Sequence, residues 1–346
     1  MIGIIGAQGK VGTECVKLLE MYEKLPFKIG SRSVELKLTT NYKSEYVDIT
    51  DPDSCKKFLN GCKCVINCTP IKKINALIAA AEITKTNIID IHRSSSYSNN
   101  NILIYTNIGI SPGLTEAIPA FCKKRFGDLK KIELMHIVND KFSYEGAKEY
   151  LEYVFDVKVV PMTLIRNYNI VPCDKEKMSI SINNDIYKKM FYTDDKVKKI
   201  CKELNLEEAK FSTCFIEGQT HNVLQTIKKS FDNIENLAEK LVLSSIIDTQ
   251  TNKIVDGFIV TVQTKTNKQF TVVVRSVSAN KLTATSAIAA SILSLHDKRF
   301  GVYEMHNIVG LADLFYVMQS VDNSLFVGIT EGGIDVLELD DAGVIE

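Results

Sequence analysis

The chain opens Met-Ile-Gly-Ile-Ile-Gly-Ala-Gln-Gly-Lys-Val-Gly, an apolar run that ends in glycines at positions 6, 9 and 12. That spacing restricts the start of the chain to a strand, a tight turn and a helix. Gly6 lets the strand turn sharply, Gly9 lets backbone amides approach an anionic group with no side chain in the way, and Gly12 lets the next helix pack closely on the sheet. The helix is predicted over Val11 to Tyr22, because Val11, Cys15, Leu18, Leu19 and Tyr22 recur at helical spacing. Strand, glycine turn and amphipathic helix in this order make a cradle for the pyrophosphate of a dinucleotide, which would face the helix N-terminus. Gly6, Gln8, Gly9, Lys10, Val11 and Gly12 are its candidate contacts. The plainer reading is a glycine-rich turn of an ordinary βα unit.

Beyond this turn, strand and helix patterns alternate. Strands are expected at Phe27 to Gly30, Tyr46 to Ile49, Lys63 to Asn67, Asn87 to Ile91 and Ile102 to Tyr105. Helices are expected at Asp53 to Leu59 and Ile74 to Ala81, and Ser94 to Asn101 reads as a loop. This is the rhythm of a parallel sheet. After residue 113 it changes. A helix from Thr115 to Phe126 and a strand from Ile132 to Val138 lead into an irregular middle region. Gly257 to Lys265 and Gln269 to Val277 then flank a Thr266-Asn267-Lys268 turn, which predicts an antiparallel hairpin packed on helices such as Glu235 to Ser244. The Ala- and Ser-rich Leu282 to Leu295 suits a buried helix. The expected class is α/β, a Rossmann-type parallel sheet domain with a second α+β domain carrying a mostly antiparallel sheet.

With 346 residues, two domains are expected. Forty-two basic and forty-two acidic residues leave no charge bias, which argues against a dedicated nucleic-acid or membrane-surface binder. No run of about eighteen apolar residues and no leader pattern is present, so a cytoplasmic location is expected. The nine cysteines then read as reduced thiols. Cys62, Cys64 and Cys68 lack a fourth ligand nearby in sequence, and no metal site is expected.

The second strand runs into Lys28-Ile29-Gly30-Ser31-Arg32-Ser33, where an NAD-specific fold would place a carboxylate against the ribose 2′-hydroxyl. Ser31 and Arg32 instead suit a 2′-phosphate, so NADP is the expected cofactor and NAD the alternative. Asp48 is placed for the adenine edge, and Cys68, Thr69 and Pro70 close the fourth strand on the nicotinamide side. Thr69-Pro70 also reads as a helix start. After the fifth strand, His92 supplies a proton donor or acceptor and Arg93 a cation for a substrate carboxylate. Tyr97, Tyr144 and His221 are lesser candidates. No Gly-Lys-Ser/Thr phosphate loop is present to support an ATP-binding enzyme.

The run Gly109-Ile110-Ser111-Pro112-Gly113-Leu114 adds a Gly-x-x-Pro-Gly-Leu turn that opens a helix. With the glycine triplet, Asn67-Cys68-Thr69-Pro70 and the later Thr283-Ala284 and Gly301-Val302-Tyr303, it resembles the saccharopine dehydrogenase-like family of NADP-binding oxidoreductases. The resemblance implies a discontinuous Rossmann domain over 1–113 and 281–346, and an inserted substrate and dimerisation domain over 114–280. It further implies a homodimer, and hydride transfer at a carbon bearing an amino or imino nitrogen of a small, amino-acid-like substrate. The alternative is a non-catalytic NADP(H)-binding redox sensor.

Overall fold

The computed structural model describes residues 1–32, 44–92, 97, 101–156, 158–182, 184–227 and 233–333. In chain order the first elements are β1 (Ile2–Ile5), α1 (Lys10–Tyr22), β2 (Phe27–Ser31), β3 (Ser44–Tyr46), α2 (Pro52–Leu59), β4 (Cys64–Asn67), α3 (Asn75–Thr84), β5 (Asn87–Asp90), β6 (Leu103–Thr106) and α4 (Leu114–Phe126). Next come β7 (Leu129–Asn139), α5 (Tyr144–Val154), β8 (Val160–Pro161), β9 (Thr163–Arg166), β10 (Asn169–Pro172), β11 (Ser179–Ile182), β12 (Asp185–Thr193), α6 (Asp195–Leu204), β13 (Glu208–Ile216), α7 (Gln219–Thr226) and α8 (Ile234–Thr251). The series closes with β14 (Val255–Thr264), β15 (Gln269–Ser276), α9 (Ala279–Ser294), β16 (Gly301–Glu304), α10 (Leu314–Val321) and β17 (Phe326–Glu331). Two units result: Met1–Phe121 with Asn280–Leu325, and Cys122–Ala279 with the segment that begins at Phe326.

The first unit is built on a seven-stranded sheet in the order β16-β6-β5-β4-β1-β2-β3. Every pairing is parallel. Strands β1, β4 and β6 are buried at every position, as a parallel sheet covered on both faces requires. Register sets Ile5 opposite both Gly30 and Asn67, Asn67 opposite Asp90, and Thr106 opposite Glu304. The carboxyl ends of these strands therefore lie along one edge. Helix α1 faces the sheet with Gly12, Cys15, Val16, Leu18 and Leu19. Helix α2 starts where Asp51 accepts from the Asp53 amide and Pro52 takes the first turn, the position that tolerates a missing N–H. Its Phe58, 1% exposed, fills the space over Gly30, where a Cβ would come within 2.7 Å of the ring. Burying a ring of this size stabilises by about 1.5–3 kcal/mol.

The second sheet has ten strands, in the order β10-β9-β13-β7-β14-β15-β17 with β12, β11 and β8 attached through β13. Among the described residues only β13 and β7 run parallel in it. The β14–β15 hairpin turns at Asn267, which adopts φ +62°, and Thr264 and Lys268 close it through a 2.8 Å N–H to carbonyl bond. One sheet face packs Phe215 and Val138 against Leu237, Ala238 and Leu241 of α8 and Ala147 and Leu151 of α5. The expectation that 281–346 belongs wholly with the first sheet is corrected at its end. Strand β17 pairs antiparallel with β15, Phe270 opposite Glu331 through Arg275 opposite Phe326, and so covers what would be an open edge. The middle region resolves into β8 to β13 and α6. Among the described residues no helix is long and apolar enough to cross a membrane.

Candidate functional site

The glycine turn is shaped by its neighbours. Gly6 adopts φ +84°, and a Cβ there would lie 2.7 Å from the carbonyl carbon of Cys68 and 2.9 Å from the Thr69 nitrogen. Side chains are excluded at this position by both conformation and space. A Cβ at Gly12 would approach the Gly6 oxygen to 2.2 Å. Gly9 differs: its φ is −70°, and a Cβ would meet the Gly6 oxygen at 3.3 Å, a tight contact that the fold can nearly accept. Its lack of a side chain thus matters mainly for what approaches from outside. Gln8, Gly9 and Lys10 are exposed, Val11 half-buried. Helix α1 begins here with no side-chain cap and no acidic residue in its first turn, so its positive dipole end remains available to an anion.

Beyond β2, Ser31 is buried and its carbonyl accepts from Val47 N at 3.0 Å, while Arg32 is exposed. Asp48 Oδ1 accepts from the Thr50 amide at 2.9 Å and the Thr50 hydroxyl at 2.7 Å. These two bonds, with a smaller contribution from the Arg32 charge, hold its carboxyl below the usual range. Asp48 thus stabilises its own turn and lies within the field of Arg32.

The next two strand ends are joined by a buried polar network that sequence reasoning missed. Asn67 and Asp90 are both 0% exposed, and Asn67 Nδ2 donates to Asp90 Oδ1 at 3.0 Å. Asn67 Oδ1 accepts from the Thr69 amide at 3.1 Å and its hydroxyl at 2.8 Å. The Tyr97 hydroxyl lies 2.9 Å from Asp90 Oδ2 and 3.0 Å from the Lys72 carbonyl. Burial raises the Asp90 carboxyl above its ordinary pKa, against the opposing pull of His92, Tyr97 and Asn67. The legible signal was a polar residue closing each of two apolar strands. Thr69 and Pro70 do not open α3, which starts at Asn75 after the Ile74 cap. They form the turn that the Asn67 amide organises.

His92 reaches back into the same network, its Nε2 donating to the Thr69 carbonyl. The structure therefore places it as a tie between the ends of β4 and β5. Arg93 lies outside the described residues, as do Ser33 and most of the Ser94 to Asn101 loop. Tyr144 and His221 belong to the second unit. Tyr144 is 40% exposed at the start of α5, and His221 is buried on α7, where burial lowers its pKa. Also missed were the residues after β6 and β16. Asn107, 2% exposed with φ +58°, donates from Nδ2 to Glu304 Oε1 at 3.0 Å. Gly113 packs on this turn: at φ +137°, a Cβ would lie 2.7 Å from the Asn107 carbonyl oxygen and 2.2 Å from that of Gly109. The Gly109 to Leu114 motif thereby fixes Asn107, and Asn107 orients half-buried Glu304 at the strand-end edge.

Along that edge lie a glycine turn leading into a helix end with no side-chain cap, a cation beyond β2, and polar side chains at the ends of β4, β5, β6 and β16. Ligands of open parallel sheets bind at this edge. The pyrophosphate of a nicotinamide dinucleotide fits at Gly9, which is exposed and lacks a side chain, in front of a helix end with no side-chain cap, while the backbone of the turn itself fills the space beside Gly6 and Gly12.

No family model matches the sequence, and no curated protein sequence matches it. Among solved structures, apo histidine-tagged saccharopine dehydrogenase (L-Glu forming) from Saccharomyces cerevisiae superposes with a TM-score of 0.64 at 11% identity, over 96% of this chain and 99% of that one. The chain has the fold of that protein. A dehydrogenase from Clostridium difficile and a putative myo-inositol dehydrogenase from Sinorhizobium meliloti 1021 each score 0.39 at 9% identity, over 93% and 95% of this chain and 98% of each of theirs.

Proposed function

We propose that the chain is an NADP-dependent oxidoreductase that moves hydride at a carbon bearing an amino or imino nitrogen of a small, amino-acid-like substrate. The observation that carries this reading is the Gly6 to Gly12 cradle, closed against the Cys68-Thr69 backbone and open at an uncapped helix end. A bound nicotinamide supplies or takes the hydride. The backbone of Gly6 to Gly12, with Gln8, Lys10 and Val11 at the rim, would hold the pyrophosphate. Ser31 and Arg32 would take the 2′-phosphate, Asp48 the adenine edge, and Cys68, Thr69 and Pro70 the nicotinamide side. Glu304, a half-buried carboxylate at the same edge, would attract the substrate's amino nitrogen, with Arg93 holding its carboxylate. A role for His92 in proton transfer would run through a ring that already holds the Thr69 carbonyl.

That engagement of His92 favours the second reading, an NADP(H)-binding redox sensor without turnover. One experiment separates the two. NADPH consumption is followed with 2-oxo acids plus amino acids, and NADP reduction with their secondary-amine products. The enzyme reading expects substrate-dependent turnover, whereas saturable cofactor binding without turnover across the panel supports the sensor.

A further inference from the structure

We infer that Asp90 is held as a neutral carboxylic acid and that, through the Tyr97 hydroxyl, it supplies the proton for the reaction proposed above, on which this role rests. The hydrogen-bond geometry assigns the proton. Asp90 Oδ1 accepts twice, from Asn67 Nδ2 at 3.0 Å and from the His92 amide at 3.3 Å. Asp90 Oδ2 faces the Tyr97 hydroxyl at 2.9 Å, and that same hydroxyl lies 3.0 Å from the Lys72 carbonyl oxygen. A carbonyl can only accept, and a tyrosine has one proton to give. Were Asp90 ionised, the Tyr97 oxygen would face two acceptors with a single hydrogen to share. With the proton on Asp90 Oδ2, every contact pairs a donor with an acceptor: Asp90 donates to Tyr97, and Tyr97 donates to Lys72.

Burial points the same way. Asp90 is 0% exposed, and among the described residues no lysine or arginine side chain contacts its carboxyl. An ionised carboxylate without a cation at that depth is costly, and the group avoids the cost by keeping its proton. The titratable groups that face it are Tyr97 and His92, and desolvation pushes the Asp90 carboxyl up against the pull of both. Tyr97 is only half-buried, so its hydroxyl links a proton store that meets no solvent to the open strand-end edge.

Reduction of a C=N bond needs a hydride at carbon and a proton at nitrogen, and the His92 ring is already engaged by the Thr69 carbonyl. Tyr97 turns its hydroxyl from the Lys72 carbonyl to the nitrogen. Its O–H bond breaks as the amine N–H bond forms, and the Asp90 Oδ2–H bond breaks in turn to restore the tyrosine. Asp90 is left as a carboxylate and takes a proton back from solvent through Tyr97. The electron pair of the new C–H bond comes with the hydride of NADPH, which ends as NADP.

The first measurement needs no cofactor: infrared spectra of the full chain at neutral pH, with and without carbon-13 at the aspartate side-chain carboxyl. The expected signature is the carbonyl band of a neutral carboxylic acid, moved by the label, present in wild type and absent from Asp90→Asn. That variant keeps an acceptor for Asn67 and His92 and a donor for Tyr97 but has no transferable proton. The second measurement is NADPH consumption with 2-oxo acids plus amino acids. Tyr97→Phe should lower kcat by about 10²- to 10⁴-fold, the contribution of a positioned proton donor, with KM and NADPH affinity within about twofold of wild type. Asp90→Asn should lower kcat by about tenfold or more with the same KM. A missing band, or one that persists in Asp90→Asn, overturns the neutral acid, and a Tyr97→Phe chain with wild-type kcat overturns the delivery. A wild-type chain that shows the band but turns over nothing contradicts the oxidoreductase reading and the delivery together, whereas an active chain without the band contradicts the Asp90–Tyr97 pair alone.

Discussion

Asn67 Nδ2 donates to Asp90 Oδ1 at 3.0 Å between the last residues of two neighbouring parallel strands, and neither side chain has any exposed surface. A polar pair at that depth is tolerated only when its remaining groups are satisfied. Here Thr69, His92 and Tyr97 satisfy them, so the shape of the strand-end edge depends on two residues that touch no solvent. Replacing Asn67 by Ala removes the donor to Asp90 and the acceptor for Thr69. The expected cost is about 1–3 kcal/mol, the penalty for stranding buried polar groups. Urea unfolding followed by far-UV circular dichroism measures it, and an unchanged midpoint would contradict the assignment.

Asp90 also sets a pH dependence. Burial raises its carboxyl above the ordinary value, so the folded chain keeps this proton to higher pH than the unfolded chain does. Its contribution to stability is then fully present below the unfolded pKa of about 3.9 and is lost as pH rises through the folded value. Asp90→Asn lacks this loss. Compared at acid pH and at neutral pH, the unfolding free energies of wild type and variant should shift in favour of the variant as pH rises. A difference that stays constant would contradict the raised value.

The glycines should separate folding from binding. Gly12→Ala places a Cβ 2.2 Å from the Gly6 oxygen and should cost about 2–4 kcal/mol, in the range of severe overpacking. Gly9→Ala meets its nearest atom at 3.3 Å without backbone strain and should lower the melting temperature far less. It should still weaken dinucleotide binding by an order of magnitude or more, because the methyl group occupies the approach to the amides. Thermal melts and NADPH fluorescence titrations on both variants check the contrast. Equal losses in both measurements for the two variants would contradict it.

How much was legible beforehand follows from the kind of force at each place. The continuous apolar runs of β1, β4 and β5 and the Gly6 to Gly12 spacing identified the parallel sheet and its cradle, since burial on both faces and close backbone packing act locally. The hairpin at Asn267 was legible for the same reason. The strands between Val160 and Ile182 were not, because two- to four-residue strands with half-exposed faces carry no periodic signal. Strand β17 joins the second sheet through pairing with β15, a partner more than fifty residues earlier, which no local pattern states. In the site, His92 was visible as a residue type, but its bond to Thr69 was not. Asn107 and Glu304 are separated by 197 positions and meet only because β6 and β16 pair.

The Asn107–Glu304 pair gives a further test. Glu304→Ala leaves the buried Asn107 amide without this acceptor and should cost about 1 kcal/mol of stability, whereas Glu304→Gln keeps an acceptor oxygen and should melt close to wild type. If Glu304 attracts the amino nitrogen, the Gln variant should raise the KM for an amine substrate about tenfold, as expected for loss of a charged partner worth ~1.5 kcal/mol. An unaltered KM in a folded Gln variant would remove Glu304 from substrate binding.

The central claim, that an NADP-type dinucleotide sits in the Gly6 to Gly12 cradle with its 2′-phosphate at Arg32, is tested most directly by fluorescence titration of wild type and Arg32→Glu with NADPH and NADH. A charge-assisted phosphate contact is worth about 1.5–3 kcal/mol, or roughly 10- to 100-fold in affinity. Wild type should therefore bind NADPH at least tenfold more tightly than NADH, and Arg32→Glu should lose that preference while keeping its affinity for NADH. Equal affinity of the wild-type chain for the two cofactors would contradict the assignment to Arg32, and saturable binding of neither would contradict the cradle itself.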